Sequence, residues 1–182
     1  TDFSHRPIYR KGKNPSKAEV KKRVKKYWDP YHQKLNSILE ELKGTWGKCV
    51  LFDAHSIRSQ VPRFFDGTLT DFNLGTASGT SASSDLIHTV ARVFHNIDSH
   101  SFVLDGRFKG GFITRHHGNP EQNVHALQLE LCQSLYMDEF HPYSYKLKKA
   151  KKIRPILRNA LLESIAWAQP RPRDPLPILL PR

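Results

Sequence analysis

The sequence predicts an α/β fold of three layers, a mixed or mostly parallel sheet with helices on both faces, and two observations carry that expectation. Short aliphatic runs at residues 49–52, 101–104 and 124–131 alternate with segments near Val20, Asp85 and Ile153 whose apolar residues recur at spacings of three and four. The first of these runs ends on Asp53 and His55, polar groups at the carboxyl end of a strand, where open α/β sheets place their ligands.

The first element is an amphipathic helix. Val20, Val24, Tyr27, Tyr31, Leu35, Ile38 and Leu42 fall at helical spacing, which turns them toward a core and leaves the lysines between them on a solvated outer face. Pro30 interrupts the pattern without shifting its phase. The segment is therefore either kinked there or divided, with Asp29 capping a second helix and Pro30 at its first position.

The strand from Cys49 follows. Strand residues alternate faces, so Asp53 and His55 share one, and a carboxylate placed there can orient an imidazole; the plain alternative is a histidine satisfied in a strand-to-loop turn. Residues 56–67 add Arg58 and Arg63, and residues 71–76 add a polar, glycine-punctuated loop containing Asn73. The Ser/Gly/Thr-rich stretch from Gly75 to Ser84 lacks the lysine of a phosphate loop and reads as a connection. A helix over residues 85–94 then carries Leu86, Ile87, Val90 and Val93 toward the core.

Beyond the short strand at 101–104, Arg107, Lys109 and Arg115 share a segment with Gly110 and Gly111, a grouping suited to an anionic ligand approaching close to the backbone. His116 and His117 read as neighbours on an extended chain, facing opposite sides, so that only one could serve a shared site. In the strand at 124–131, Gln128 and Glu130 lie on one face. A carboxylate there must be paired or useful if buried, and the sequence leaves a structural ion pair and a catalytic acid both open. A helix over residues 153–167 closes a single domain, residues 1–168, and the proline- and arginine-rich residues 169–182 are expected to form a disordered tail.

Composition narrows the function. The chain has 182 residues, 29 basic and 17 acidic, for a formal charge of +12. No apolar run approaches the ~20 residues needed to span a bilayer, and the polar amino terminus lacks a signal-peptide core, so a cytoplasmic protein is expected. Cys49 and Cys132, both in apolar segments, are expected as reduced thiols. The positive charge gathers between Arg10 and Lys26 and between Lys146 and Arg158, on helix faces without interleaved exposed aromatics, which argues for a small-molecule partner rather than a specific nucleic acid. Nothing in the sequence fixes an oligomeric state.

Taken together, Asp53-Ala54-His55-Ser56-Ile57-Arg58-Ser59, Val61-Pro62-Arg63-Phe64-Phe65-Asp66-Gly67, Asn73-Leu74-Gly75-Thr76, Gly106-Arg107-Phe108-Lys109-Gly110-Gly111-Phe112-Ile113-Thr114-Arg115-His116 and His125-Ala126-Leu127-Gln128-Leu129-Glu130-Leu131 through Tyr136-Met137-Asp138-Glu139 resemble the N-formylglutamate amidohydrolases. The motifs run in order from the first residues to about Trp167, and Pro7-Ile8-Tyr9-Arg10-Lys11-Gly12 fits the family's lead into its helix. The resemblance implies a fold similar to zinc carboxypeptidases and aspartoacylase. It also implies zinc-dependent hydrolysis of N-formyl-L-glutamate to L-glutamate and formate, a step of histidine breakdown. By motif position, His55 is the expected zinc ligand, Asp53 the carboxylate that orients it, and Glu130 the general base. Arg58, Arg63, Arg107, Arg115 and Asn73 are the expected substrate-binding residues. The resemblance also implies that the first zinc ligands belong to an upstream family segment with a Ser-Ile-Pro-His type motif and further acidic and histidine residues, which this sequence does not contain. An incomplete domain is therefore expected, with a catalytically inactive truncated fragment as the alternative reading.

Overall fold

A computed structural model describes residues 2–3 and 5–169. Its elements are α1 (Lys17–Arg23), a π turn (Val24–Trp28), α2 (Asp29–Trp46), β1 (Cys49–Ile57), β2 (Phe72–Gly75), α3 (Ser84–His95), β3 (Phe102–Leu104), α4 (Phe112–His117), β4 (Val124–Cys132) and α5 (Leu147–Ala168). The strands form one sheet in the order β1-β4-β2-β3. β1 runs parallel to β4, β2 antiparallel to β4, and β3 parallel to β2, so the sheet is mixed.

Strand alternation sorts the two faces. On one, Val50, Phe52, Phe72, Leu74, Leu127, Leu129 and Leu131 meet Leu86, Ile87, Val90 and Phe94 of α3 and Ile153 and Ala160 of α5 in the main core. On the other, Cys49, Leu51 and Val124 pack against Leu35 and Leu39 of α2. The same second face continues along the strands through Asp53, His55, Gln128 and Glu130, in register as Asp53↔Gln128 and His55↔Glu130. α2 thus covers the beginning of that face and leaves its far end open, which is what positions the site. Both cysteines are buried and unbridged, as expected, and burial pushes both thiols up.

The helical details correct three expectations. α1, the π turn and α2 follow in sequence, with Pro30 in the first turn of α2 and Trp28, rather than Asp29, at its cap. A proline ring lacks a donor and crowds the carbonyl four residues back, and the wider turn immediately ahead of Pro30 relieves both. The stripe from Val20 to Leu42 is not the buried face. Val20, Val24, Tyr27, Tyr31, Ile38 and Leu42 remain exposed while His32 and Leu39 are buried, because α2 turns the side carrying His32, Leu35 and Leu39 toward β1, Val124 of β4 and His117 of α4. Exposed aromatics are consequently interleaved with the lysines, and Lys26 Nζ lies 5.2 Å from the Tyr27 ring centroid, so the absence of such aromatics no longer argues against nucleic acid. α5 begins at Leu147 rather than near Ile153; Ala150, Ile153, Ala160 and Ser164 supply its buried side, and its lysines face solvent. Among the described residues no helix is long and apolar enough to cross a membrane. Of the expected tail at 169–182, all but Gln169 lies outside the described residues.

Candidate active site

The open end of the second sheet face forms a cleft of about 830 Å³ whose walls include Asp53 and His55 of β1, Gln128 and Glu130 of β4, the loop from Gly106 to Gly111, Arg115 of α4, and Trp28 and His32 at the start of α2. Four of these positions follow from one rule: 53, 55, 128 and 130 are spaced by two on paired parallel strands.

Asp53 Oδ1 accepts from His55 Nε2 at 2.9 Å. The contact fixes the imidazole and leaves Nδ1 as the nitrogen available to a ligand. Glu130 is 7% exposed, and burial raises its carboxyl above the ordinary glutamate value of 4.5; His55 pulls it back and Asp53 pushes it further up. A buried carboxyl held in this way binds a proton more readily than an ordinary glutamate, which suits it to act as a general base. On the adjacent strand, Asn73 Nδ2 donates to the carbonyls of Thr70 (2.7 Å) and Glu130 (3.3 Å). Asn73 is 1% exposed and pairs in register with Glu130, so it holds the Glu130 backbone from the neighbouring strand, outside the cleft lining.

The facing loop is pinned at both ends. Thr76 N–H donates to Asp105 Oδ1 at 2.7 Å and its hydroxyl donates to Oδ2, while Ala77 N–H donates to the Lys109 carbonyl at 2.6 Å. A side chain at Gly75 would bring a Cβ within 2.6 Å of the Lys109 carbonyl carbon, so this approach requires glycine. Gly110 adopts φ +112°, and the next residue, Gly111, donates its N–H to Gln128 Oε1 at 2.7 Å. β4 therefore holds the loop over the cleft through Gln128, a role the sequence left unassigned although its spacing of two from Glu130 marked the shared face.

The arginines divide into three groups. Arg107 and Arg115 line the cleft, each tied by one nitrogen to a carbonyl, Arg107 Nε to Phe64 and Arg115 Nη1 to Gly110, both at 2.5 Å, with the rest of each guanidinium left to meet an anion. Arg58 lines an adjoining hollow that shares His55 and Glu130 with the cleft, and its guanidinium lies 5.5 Å from the Phe140 ring centroid. Arg63 lies apart, donating to the Asp2 carbonyl and lying 5.7 Å from the Phe64 ring centroid. The loop that carries Arg58 onward is latched by Glu139, which accepts from Ser59 N–H at 2.6 Å and from the Ser59 hydroxyl.

His116 and His117 are helical, not extended. Successive helical residues point about 100° apart, so His117 turns into the protein, 5% exposed, while His116 remains exposed. His117 then meets His32, and through this pairing α2 contributes to the cleft; sequence reasoning passed over His32, whose only signal was its spacing from Leu35 and Leu39 on one helical face.

The expected zinc fails a test of fit on the described residues, since no three His, Cys, Asp or Glu side chains among them are grouped so as to hold a metal ion. His55 is the one donor the motif supports.

A mixed α/β sheet thus brings a buried carboxyl, a carboxylate-oriented imidazole and two arginines onto one cleft. Residues 1–137 match the family model described as N-formylglutamate amidohydrolase, and the chain belongs to that family. It is 47% identical over 171 residues to the N-formylglutamate deformylase of Pseudomonas aeruginosa and 43% identical over 171 residues to that of Pseudomonas putida, each alignment covering 94% of this chain and 64% of the relative. Its fold matches the crystal structure of N-formylglutamate amidohydrolase from Ralstonia eutropha JMP134 with a TM-score of 0.67 and 25% identity, over 83% of this chain and 53% of that one. The chain therefore spans less than two thirds of the length of these curated relatives.

Proposed function

We propose that the cleft hydrolyses the formyl amide of N-formyl-L-glutamate, releasing formate and L-glutamate, in the breakdown of histidine. The observation that carries this reading is Glu130, a buried carboxyl with a raised pKa, set by strand register beside the Asp53–His55 pair. The names of the relatives at 47% and 43% identity support the choice of substrate.

In this mechanism Glu130 takes a proton from water as its oxygen attacks the formyl carbon, then delivers that proton to the departing nitrogen. Arg107 and Arg115 hold one substrate carboxylate within the cleft, and Arg58, across the His55–Glu130 divide, meets the other. Gln128 keeps the glycine loop closed against the substrate. The described residues offer zinc a single supported donor, His55, so zinc belongs to the proposal only as an ion whose further donors come from outside them, and no step above depends on it. A second reading, a cleft that binds the ligand without turnover, is favoured by that same shortage of donors.

Formate release from N-formyl-L-glutamate separates the two. The hydrolase reading expects release by the chain supplied with zinc and a loss of at least about a hundredfold in Glu130→Gln, the usual scale for removing a general base. Ligand binding with no formate establishes the second reading, and undiminished release in Glu130→Gln removes Glu130 as the base.

A further inference from the structure

His32 belongs to none of the roles above, yet it is a cleft residue with its own supporting chain of hydrogen bonds. His117 Nδ1 lies 2.8 Å from Asn36 Oδ1, an oxygen that can only accept, so the proton of the neutral His117 ring sits on Nδ1. Its other nitrogen, Nε2, lies 2.9 Å from His32 Nδ1 and must accept there, which places the His32 proton on Nδ1. In the neutral ring this leaves Nε2 as the acceptor nitrogen of a side chain that lines the cleft.

The surroundings hold that arrangement. His32 and His117 are 7% and 5% exposed and lie nearly parallel with centroids 5.2 Å apart, while Trp28 at 4.1 Å and Phe112 at 5.0 Å enclose the His32 ring. Burial, with His116 and His32 nearby, holds His117 below the usual histidine range, so it remains neutral and able to accept. His32 Nε2 is not among the fully buried atoms without a partner, so it keeps access to the cleft, where a ligand donor can reach it.

We propose that His32 is a substrate-positioning residue: with its tautomer set by His117 and Asn36, it presents Nε2 as the acceptor for the amide N–H of a bound N-acyl amino acid. The inference rests on the substrate reading above and extends it. It assigns a contact that distinguishes an amide from an ester of the same shape, and it explains why α2 is tied to α4 at the mouth of the cleft.

The test compares binding of N-formyl-L-glutamate with its ester isostere, in which oxygen replaces N–H, by calorimetry in the Glu130→Gln background so that neither ligand is consumed. With His32 present the amide binds more tightly. His32→Phe lowers the amide-to-ester preference by about tenfold, the scale of one hydrogen bond to a buried acceptor, and His32→Gln, whose carbonyl can accept, restores part of it. A purely structural role for His32 would weaken both ligands alike and leave the ratio unchanged, which overturns the proposal. Equal binding of the two ligands with His32 present overturns it while sparing the substrate reading; failure to bind either ligand overturns both. Long-range proton–nitrogen spectra of the histidine-labelled chain supply an arm independent of ligand: a proton on Nδ1 of His32 is expected, and a proton fixed on Nε2 refutes the assignment.

Discussion

β1 and β4 are the same length, run parallel and pair residue for residue from Cys49↔Val124 to Ile57↔Cys132, yet every residue of β4 is buried while Ala54, His55 and Ser56 of β1 are exposed. Among the described residues β4 has a strand on each side and β1 has one. Each contributes one key side chain to the cleft, and the difference in burial decides how that side chain is prepared. Glu130 receives its raised pKa from the packing around it, whereas His55, with 46% of its side chain exposed, depends on one carboxylate partner, Asp53. The central strand sets proton affinity, and the edge strand supplies an accessible imidazole.

Substitutions at the two strands should separate these contributions. The largest expected effect is on formate release, where Glu130→Gln costs at least about a hundredfold, while Ala54→Ser, on the exposed stretch of the edge strand, leaves the rate within about twofold. Next comes stability measured by urea unfolding. Leu127→Ala on β4 is expected to cost about 2–5 kcal/mol through the cavity it leaves, against about 0.5 kcal/mol or less for Ala54→Ser; equal costs would break the contrast between the strands.

A smaller effect appears in the pH dependence of stability. Because the Glu130 carboxyl is raised in the folded state, its contribution is fully present below pH 4.5 and is lost as pH rises through the folded value. Glu130→Gln should therefore gain stability relative to the parent chain between pH 4 and 7, and a gap that is constant over this range would contradict the burial argument. The smallest effect is expected away from the cleft. The Asp85 carboxylate, held by Ser83 and by the Trp167 indole, is lowered to about 2, so its contribution is present above its ordinary 3.8 and lost as pH falls through about 2. The difference between Asp85→Asn and the parent should narrow over that acid window alone, and only slightly because the group is exposed.

How much was legible in the sequence follows the same division. β4 was readable because a partly alternating, aliphatic-rich run carries Gln128 and Glu130 at a spacing of two, and a buried strand needs no partner to be recognised. The aliphatic run of β1 ended at Phe52, but pairing with β4 carries the strand on to Ile57, a tertiary effect invisible locally. The stripe on α1 and α2 had the right period and the wrong face, since periodicity measures amphipathicity and not which neighbour is present. His32, His117 and Asn36 come together from two helices far apart in the chain, and no local pattern announces such a contact. Of the expected substrate residues, Arg107 and Arg115 reach the cleft, Arg58 its neighbouring hollow, and Asn73 and Arg63 neither. Residue type alone does not tell which arginines reach the cleft, since Arg63, Arg107 and Arg115 each donate to a backbone carbonyl.

The central claim is that burial on the middle strand makes Glu130 the base of this cleft. Following the Glu130 carboxyl carbon by NMR through a pH titration, alongside formate release from the same sample, tests it most directly. The account predicts a Glu130 midpoint above 4.5 and a release rate that rises with the ionised fraction. A midpoint at or below 4.5, or a rate indifferent to that ionisation, would contradict it.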